Sequence, residues 1–455
     1  GVDFSSSTAT SPAQPDRQLI DCPHPSPPPP PLDATPPLRL LPFPFRLLRK
    51  GVDFSSSSPP LSLSSPAATM SSSGEKFEIS PTGSPWDDLD ADDIRKRIMD
   101  IKSREPFSSH PLYPREWEAA DSGVAAADPT RLVRVMQFNL LAEGLSSPSG
   151  SKPPIPDMAK KEPDGGNFTD LPKGPDGIVG SEILNFSTRR LRLVEEILSH
   201  SPDILTVQEL DRFNDFFQPV LSKFGYDGIY SPKADSPCLK FGFYSDGVAI
   251  FWKRDKFTLT SSTKDHKIEP AGRDPVDVIY AVAKLQPKTF DGPGLSVVTC
   301  HLKAKSSNED KRMAQMHGIL ELVKGFDEGG HTDHIILAGD FNTDPCDTAD
   351  GFKAEVIPWI AAEHPELHSC YPLDKATFDT TDDDSKWHWT TWKRRAHSTP
   401  SEIKHAIDYI YHQRDAFRTV QILKAPAEGD VLPHRLPCWR YPSDHISIVA
   451  DLEVK

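Results

Sequence analysis

The chain has 455 residues and a formal net charge of −15, enough length for one large domain or two ordinary ones. The acidic balance argues against a generic nucleic-acid coat, which needs a broad basic field, but allows a small basic pocket. No apolar run approaches the length of a membrane span. The six cysteines (Cys22, Cys238, Cys300, Cys346, Cys370 and Cys438) contain no Cys-x-x-Cys pair, which tells against a zinc ribbon or redox motif and suits free thiols in a reducing compartment.

Gly1 to about Ser73 is low complexity. Of the 46 prolines, 16 precede residue 70, Pro27 to Pro31 is an unbroken run, and Gly-Val-Asp-Phe-Ser-Ser-Ser occurs at residues 1–7 and again at 51–57. Such a stretch is a poor candidate for a packed core. No methionine occurs before Met70, so residues 1–69 are expected to come from upstream of the true translation start. The competing reading is an organelle-targeting segment, since Arg39 to Lys50 is basic and the region is Ser-rich and acid-poor. The first reading implies a cytoplasmic protein and the second a mitochondrial or plastid one. Residues 74–130 are polar, with acidic Asp87 to Asp93 and a short helix expected from Ala91 to Ile101, and read as a mostly flexible lead-in.

From residue 131 to 455 the composition is globular, and elements alternate. Leu132 to Phe138 reads as a strand. Leu145 to Gly180, rich in Pro, Gly and Lys, reads as an insertion or mobile loop. Thr188 to His200 has Leu191, Val194, Ile197 and Leu198 at helical spacing. Strands are expected at Asp203–Val207, Gly247–Trp252, Val276–Leu285 and Leu295–Cys300. Asn308 is expected to cap a helix running to about Phe326, with Met313, Met316, Leu320 and Val323 on one face. Further strands are expected at His334–Ala338, Ala406–Tyr411, Arg418–Leu423 and Ile446–Leu452. Many strands with interspersed helices predict an α/β layered domain, sheets packed together and covered by helices.

Polar residues recur just beyond the strand ends: Asn139, Gln208-Glu209, His301, Asp340 with Asn342, and Asp444-His445. Asp408 sits between apolar neighbours, and a buried carboxylate needs a partner. Carboxylate oxygens suit a hard divalent cation such as magnesium, and imidazole and carboxamide groups can donate to phosphate oxygens. Taken singly, each residue has an ordinary reading as a turn, cap or core residue. Their recurrence at successive strand ends points to metal-assisted cleavage of a phosphoester.

These segments resemble the motifs of the endonuclease/exonuclease/phosphatase superfamily, carried by Gly339-Asp340-Phe341-Asn342, Gln208-Glu209, Thr299-Cys300-His301-Leu302, Ile407-Asp408-Tyr409 and Pro442-Ser443-Asp444-His445. The resemblance covers roughly residues 131–455. It implies a DNase-I-like four-layer αββα sandwich and magnesium-dependent phosphoester cleavage, with manganese able to substitute. Phe138-Asn139-Leu140-Leu141-Ala142, Ser236-Pro237-Cys238-Leu239, His301-Leu302-Lys303-Ala304-Lys305, Thr390-Thr391-Trp392-Lys393 and Tyr441-Pro442-Ser443-Asp444-His445 resemble the nocturnin branch, related to the carbon-catabolite-repressor deadenylases. Two departures stand out. Lys305 replaces an arginine, turning a bidentate clamp into a point charge, and Phe241-Gly242-Phe243-Tyr244-Ser245 replaces an Asn/Gly-rich loop.

The resemblance implies roles residue by residue. Glu209 would be the principal magnesium ligand, aided by Asn139 and Asp444. Asp340 would orient or deprotonate water, and Asn342 and His301 would hold phosphate oxygens. His445, oriented by Asp408, would stabilise developing charge. Lys233, Lys303 and Lys305 would bind further substrate phosphates. Two substrates fit: the 2′-phosphate of NADP(H), favoured by the clustered lysines, and the 3′ end of poly(A) RNA, for which Trp387, Trp389 and Trp392 with Lys393, Arg394 and Arg395 offer a stacking surface. No DNA substrate and no membrane span are expected, and the protein is read as a monomer. A non-catalytic module of RNA decay is the alternative from another class. It would be expected to lack a metal ligand or the water-activating carboxylate, and neither is missing. The leucine-rich repeat by which deadenylases dock partners does not occur.

Overall fold

The computed structural model describes residues 84–120, 127–147, 180–269, 274–328, 333–347, 353–371, 389–394 and 402–455. Residues 1–73, the greater part of the 145–180 loop and Trp387 lie outside them. Among the described residues, no helix is long and apolar enough to cross a membrane.

One sheet contains β1 (Trp117–Ala119), β2 (Leu132–Asn139), β3 (Ile204–Leu210), β4 (Tyr226–Pro232), β5 (Gly247–Lys253), β14 (Phe417–Leu423) and β15 (Ile448–Val454), in the order β1-β14-β15-β2-β3-β5-β4. A second contains β6 (Phe257–Ile268), β7 (Val276–Pro287), β8 (Leu295–His301), β9 (His334–Asp340), β10 (Leu367–Ser369) and β13 (Asp408–Gln413), in the order β10-β13-β9-β8-β7-β6. A small ribbon pairs β11 (Thr391–Arg394) with β12 (Glu402–His405). The helices are α1 (Ala91–Lys102), α2 (Glu143–Ser146), α3 (Phe186–His200), α4 (Gln218–Lys223), α5 (Glu309–Glu328) and α6 (Val356–Glu363).

Alternation along the strands builds the layers, because successive side chains point to opposite faces. Val133 and Val135 of β2 and Ile204 of β3 pack against Val297 of β8, Ile336 and Ala338 of β9 and Ile410 of β13, forming a core between the sheets. The other parity, Met136, Phe138, Leu205 and Val207, packs with Leu193, Val194 and Ile197 of α3 and with Val220 and Leu221 of α4. On the far side, Val298, Ile335 and Leu337 meet Met316, Ile319, Leu320 and Val323 of α5 and Val356, Ile357 and Ile360 of α6. The result is the four-layer αββα sandwich expected from the sequence. Each expected strand overlaps an observed one. The pairs β2–β3 and β8–β9 are parallel, and each needs a crossover. The first crossover carries α3 and the second carries α5.

Three features depart from expectation. Residues 84–120, read as part of a flexible lead-in, contain packed structure: Trp86, Ile94, Ile98 and Tyr113 are buried in the same cluster as α3. Helix α1 starts at an Asp90 capping box, and its two buried isoleucines, four residues apart, make one apolar stripe in a polar sequence. The Asn308 side chain does not accept from α5 but donates to the Ala304 carbonyl at 2.7 Å. β4 and β6 were not foreseen. β6 exposes most of its side chains, so it carries no apolar signal, and the described cysteines, as expected, are free thiols.

Candidate active site

The same alternation that builds the inter-sheet core builds the site. The parity of Val133 and Val135 carries Gln137 and Asn139 inward, that of Leu295 and Val297 carries Thr299 and His301, and that of Ile336 and Ala338 carries Asp340. Asp408 shares the inward parity of Ile410. The core therefore turns polar at one end. Register brings His301 opposite Asp340 and Asp340 opposite Asp408 on three neighbouring strands. Gly339 lies where a side chain would run into the Cys300 carbonyl, so glycine is what lets β8 and β9 close up beside Asp340.

Glu209 has the wrong parity for this set. A bulge corrects it: the β3–β5 register slips between Val207 and Leu210, and Glu209 takes a left-handed φ of 51°. That conformation costs a non-glycine residue about 1–2 kcal/mol. The half-buried carboxylate accepts from the Ala142 N–H at 3.3 Å, a long bond that leaves lone pairs for a ligand. Asn342, at φ 51°, is also left-handed.

The sequence-predicted residues gather around a cleft of about 750 Å³, whose walls include Glu209, Lys233, His301, Asp340, Asn342 and His445. Asn139 Nδ2 donates to Asp340 Oδ2 at 2.9 Å, and the Asn342 N–H donates to Asp340 Oδ1 at 2.9 Å. Asn342 Nδ2 donates to the Leu302 carbonyl at 3.0 Å. His445 Nδ1 lies 2.8 Å from Asp408 Oδ2, and His301 Nε2 is 3.6 Å from Asp340 Oδ2. Lys233 Nζ pairs with Asp246 at 2.5 Å and lies 3.5 Å from His301 Nδ1. Lys303 and Lys305 are exposed and line the same cleft. The Asp444 carboxylate, expected near a metal, is instead engaged by Lys393 in a buried pair.

Beneath these residues lies a polar floor that sequence reasoning missed in part. Gln137 and Gln208 exchange amide hydrogen bonds, Gln208 Nε2 also donates to Thr299 Oγ1 at 3.0 Å, and Thr206 donates to Gln137 at 2.7 Å. Gln137 reaches Asp408 Oδ1 at 3.3 Å. The available signal was a polar residue on the inward parity of an otherwise apolar strand. Arg189 was missed as well. Fully buried, its guanidinium donates to the carbonyls of Leu140 at 2.8 Å, Leu141 at 2.7 Å and Pro442 at 3.2 Å.

Burial, reinforced by the negative charge of Asp408, raises the Asp340 carboxyl to about 7. For His445, burial opposes the charged form, but the Asp408 carboxylate outweighs it and lifts the imidazole to about 9. His301 is driven the other way, well below its ordinary value, by burial and then by Lys233. The cleft thus joins a carboxylate poised near neutrality, a cationic imidazole and a neutral one. Titrating groups pushed apart in this way mark a site for proton-coupled chemistry.

Among the described residues, one cluster of ligand atoms is close enough to hold a metal ion. Asp340, Asp408 and His445 bring ligand atoms within 4.8 Å of one another, but His445 and Asp408 already satisfy each other. The Glu209 carboxylate faces the cleft on its strained turn with lone pairs to spare, which suits a hard divalent cation, whereas Asn139 Oδ1 already accepts from the Leu141 N–H at 3.0 Å. Of the expected stacking surface, the described tryptophans Trp389 and Trp392 are buried, and Trp392 is covered by Lys404 at 4.6 Å and Arg435 at 5.6 Å.

A sandwich with this polar rim defines a class. The chain matches the Endonuclease/Exonuclease/phosphatase family over residues 136–445 and belongs to it, as a hydrolase of phosphoester bonds. Within that family it is a nocturnin-like member. It is 33% identical to Nocturnin of Xenopus laevis over 329 residues, covering 72% of this chain and 74% of that one. It is 29% identical to Nocturnin of Homo sapiens over 391 residues, covering 85% of this chain and 79% of the relative. The human Nocturnin catalytic domain with bound sulfate anion superposes with a TM-score of 0.53 at 26% identity, covering 78% of this chain and all of that one.

Proposed function

We propose that this chain is a magnesium-dependent phosphatase that removes the 2′-phosphate of NADP(H). One observation carries the preference for a compact nucleotide. Four lysines line the cleft, Lys233, Lys303, Lys305 and Lys393, while Trp389 and Trp392, the described tryptophans of the expected stacking surface, are buried. A long RNA track wants aromatics open to bases along a basic groove. The human relative carries a sulfate anion, which has the tetrahedral shape of phosphate.

Glu209 and Asn139 would hold the metal, with Asp444 retained by Lys393. A bound magnesium would neutralise phosphate charge and polarise the attacking water. Asp340, near neutrality and hydrogen-bonded by Asn139 and Asn342, accepts the water proton as the oxygen attacks phosphorus. The bond from phosphorus to the ribose 2′ oxygen breaks with its electron pair on that oxygen, which takes a proton from solvent to become a hydroxyl, while Asp340 returns its own proton to solvent. Asn342 and neutral His301 donate to phosphate oxygens, and His445, held by Asp408, faces the charge that develops. The products are NAD(H) and inorganic phosphate.

The second reading is a 3′–5′ poly(A) exoribonuclease, which would use the same groups on a diester. Phosphate release from NADP and NADPH, measured beside degradation of a short poly(A) oligomer with magnesium and with chelator, separates the two. NADP is expected to be the better substrate, and Lys303→Ala is expected to reduce its turnover far more than that of poly(A). Efficient poly(A) degradation with NADP untouched would overturn the proposal.

A further inference from the structure

We propose that Arg115, Glu196 and Tyr441 are positioning residues that hold the turn carrying Asp444 and His445 from behind, with Arg115 delivered by a strap of residues 107–119. The inference rests on the role proposed above for His445 and adds what fixes the backbone from which its ring hangs.

Tyr441 leads into the turn and Ser447 leads out of it. The Ser447 N–H donates to the Tyr441 hydroxyl at 2.8 Å, which ties the two ends together. That hydroxyl donates to Glu196 Oε1 of α3 at 2.9 Å, and Ser447 Oγ donates to the same oxygen at 2.8 Å. One carboxylate oxygen thus gathers both ends of the turn. Arg115 Nη1 donates to Ser447 Oγ at 2.8 Å and stands 3.4 Å from Glu196 Oε1, where His200 Nε2 also lies at 3.4 Å. Tyr441 and Ser447 are fully buried, and the side chains of Glu196 and Arg115 are almost so. Burial opposes the charge on Glu196, but His200, Arg115 and the Ser447 bond hold its carboxyl down at about 2. It is therefore a pure acceptor across the neutral range.

The strap supplies the cation and is itself tied down. Arg115 Nε donates to the Lys424 carbonyl at 2.8 Å and Nη2 to the Leu423 carbonyl at 3.3 Å, at the end of β14. Two residues earlier, Tyr113 stacks on Tyr441 with ring centroids 6.0 Å apart. Arg192 of α3 donates to the His110 carbonyl at 3.1 Å. Apolar side chains of similar volume would fill this space at least as stably, because a buried ion pair is weak evidence for stability. A fully bonded polar network gives instead one arrangement of the groups it joins. What it joins here is the turn. The cleft side of the turn is pinned separately: Ser443 Oγ donates to the Asn139 carbonyl at 2.7 Å, and Asp408 sets the His445 ring. The Glu196 network pins the opposite side. The strap precedes residues 136–445, over which the family match runs, and its sequence reads as a lead-in, so neither marks it.

The test measures kcat and KM of the magnesium-loaded full chain on NADP and on the poly(A) oligomer, well below the melting temperature, with amide hydrogen exchange of residues 443–447 alongside. Tyr441→Phe removes the hydroxyl and keeps the ring against Tyr113. It is expected to lower kcat about tenfold and to leave KM within about twofold, because a misplaced group costs chemistry more than binding. Exchange in the turn is expected to quicken severalfold. Tyr226→Phe is the structural control. It removes another buried hydroxyl, which donates to the Pro202 carbonyl at 2.6 Å at the start of β4, and is expected to lower the melting temperature while kcat holds. Arg115→Met should repeat the loss of kcat, and Arg115→Lys, which keeps a cationic donor, should recover part of it. If Arg115→Met does not fold, Tyr441→Phe decides. Unchanged kcat and unchanged exchange in folded Tyr441→Phe, or an equal fall of kcat in Tyr226→Phe, would overturn the assignment. A turn that loosens in Tyr441→Phe, in a wild type that cleaves poly(A) and releases no phosphate from NADP, would sink the 2′-phosphatase reading and leave the positioning network standing.

Discussion

The two walls of the cleft are built on opposite plans. On one, Glu209 sits on a bulge at φ 51° with a long 3.3 Å bond to the Ala142 N–H. On the other, Asp408, His445, Lys393 and Asp444 are buried and mutually bonded. The first wall is strained and open, and the second is satisfied before any substrate arrives. A group that must bind an ion loses part of its value if the protein already satisfies it. A group that must hold one orientation gains from being locked. The difference fits the proposed division of labour, with metal binding on the first wall and charge stabilisation on the second.

Paired substitutions should break this comparison if it is wrong. Glu209→Ala is expected to remove nearly all turnover, about a thousandfold or more, because metal-assisted catalysis contributes several kcal/mol. Its melting temperature should stay level or rise, since little is lost with the side chain. Asp408→Ala should also depress turnover strongly, but it leaves a buried imidazole without its carboxylate and should destabilise the fold by about 3–5 kcal/mol. Activity assays and thermal melts on both variants decide the matter. Equal loss of stability in the two would show that the walls do not differ in kind.

Arg189 joins the walls, and its removal should have the next largest effect. It donates to Leu140 and Leu141, beside Asn139, and to Pro442, beside the Asp444-His445 turn. Arg189→Met leaves three carbonyls short of a donor, at about 1–3 kcal/mol for each buried one. A drop in stability of about 3 kcal/mol or more is expected in chemical denaturation. A change under 1 kcal/mol would mean that water replaces the guanidinium and that the walls stand independently.

The sequence announces most of both walls, Asp408 with His445 included, but not Lys393 and Arg189, for a physical reason. Glu209, His301, Asp340 and Asn342 follow apolar runs, so the end of each strand marks them. The strands themselves were legible wherever both faces are buried, as in Ile335-Ile336-Leu337-Ala338 of β9. Exposed β6 and the short pieces β1, β10, β11 and β12 were not, because a few residues at a sheet edge leave too faint an apolar pattern to find. The roles of Lys393 and Arg189 depend on which distant groups they meet: Asp444 is 51 residues from Lys393 and Pro442 is 253 from Arg189. Pairings of that kind belong to the fold. The helix expected at Ala91–Ile101 forms as α1, but the packing of residues 84–120 was not legible, since only Ile94 and Ile98 of that helix are fully buried.

The finest test of the comparison is the pH profile of kcat/KM for NADP, because one residue acts on both limbs. With Asp340 as the proposed base, activity should rise as pH climbs through about 7 and its carboxyl loses its proton. With His445 as the proposed cation, activity should fall above about 9 as the imidazole loses its charge. The product is a bell. Asp408 holds up both values: its negative charge disfavours a second carboxylate at Asp340 and favours the imidazolium at His445. Asp408→Asn keeps the shape of the side chain and removes the charge. The Asp340 carboxyl should then ionise at lower pH, and the His445 imidazolium should deprotonate at lower pH. Both limbs therefore move to the acid side, by about a unit for each 1.4 kcal/mol of interaction lost. A bell that narrows from both sides, or limbs that stay fixed, would show that Asp408 orients His445 without setting the electrostatics of either wall.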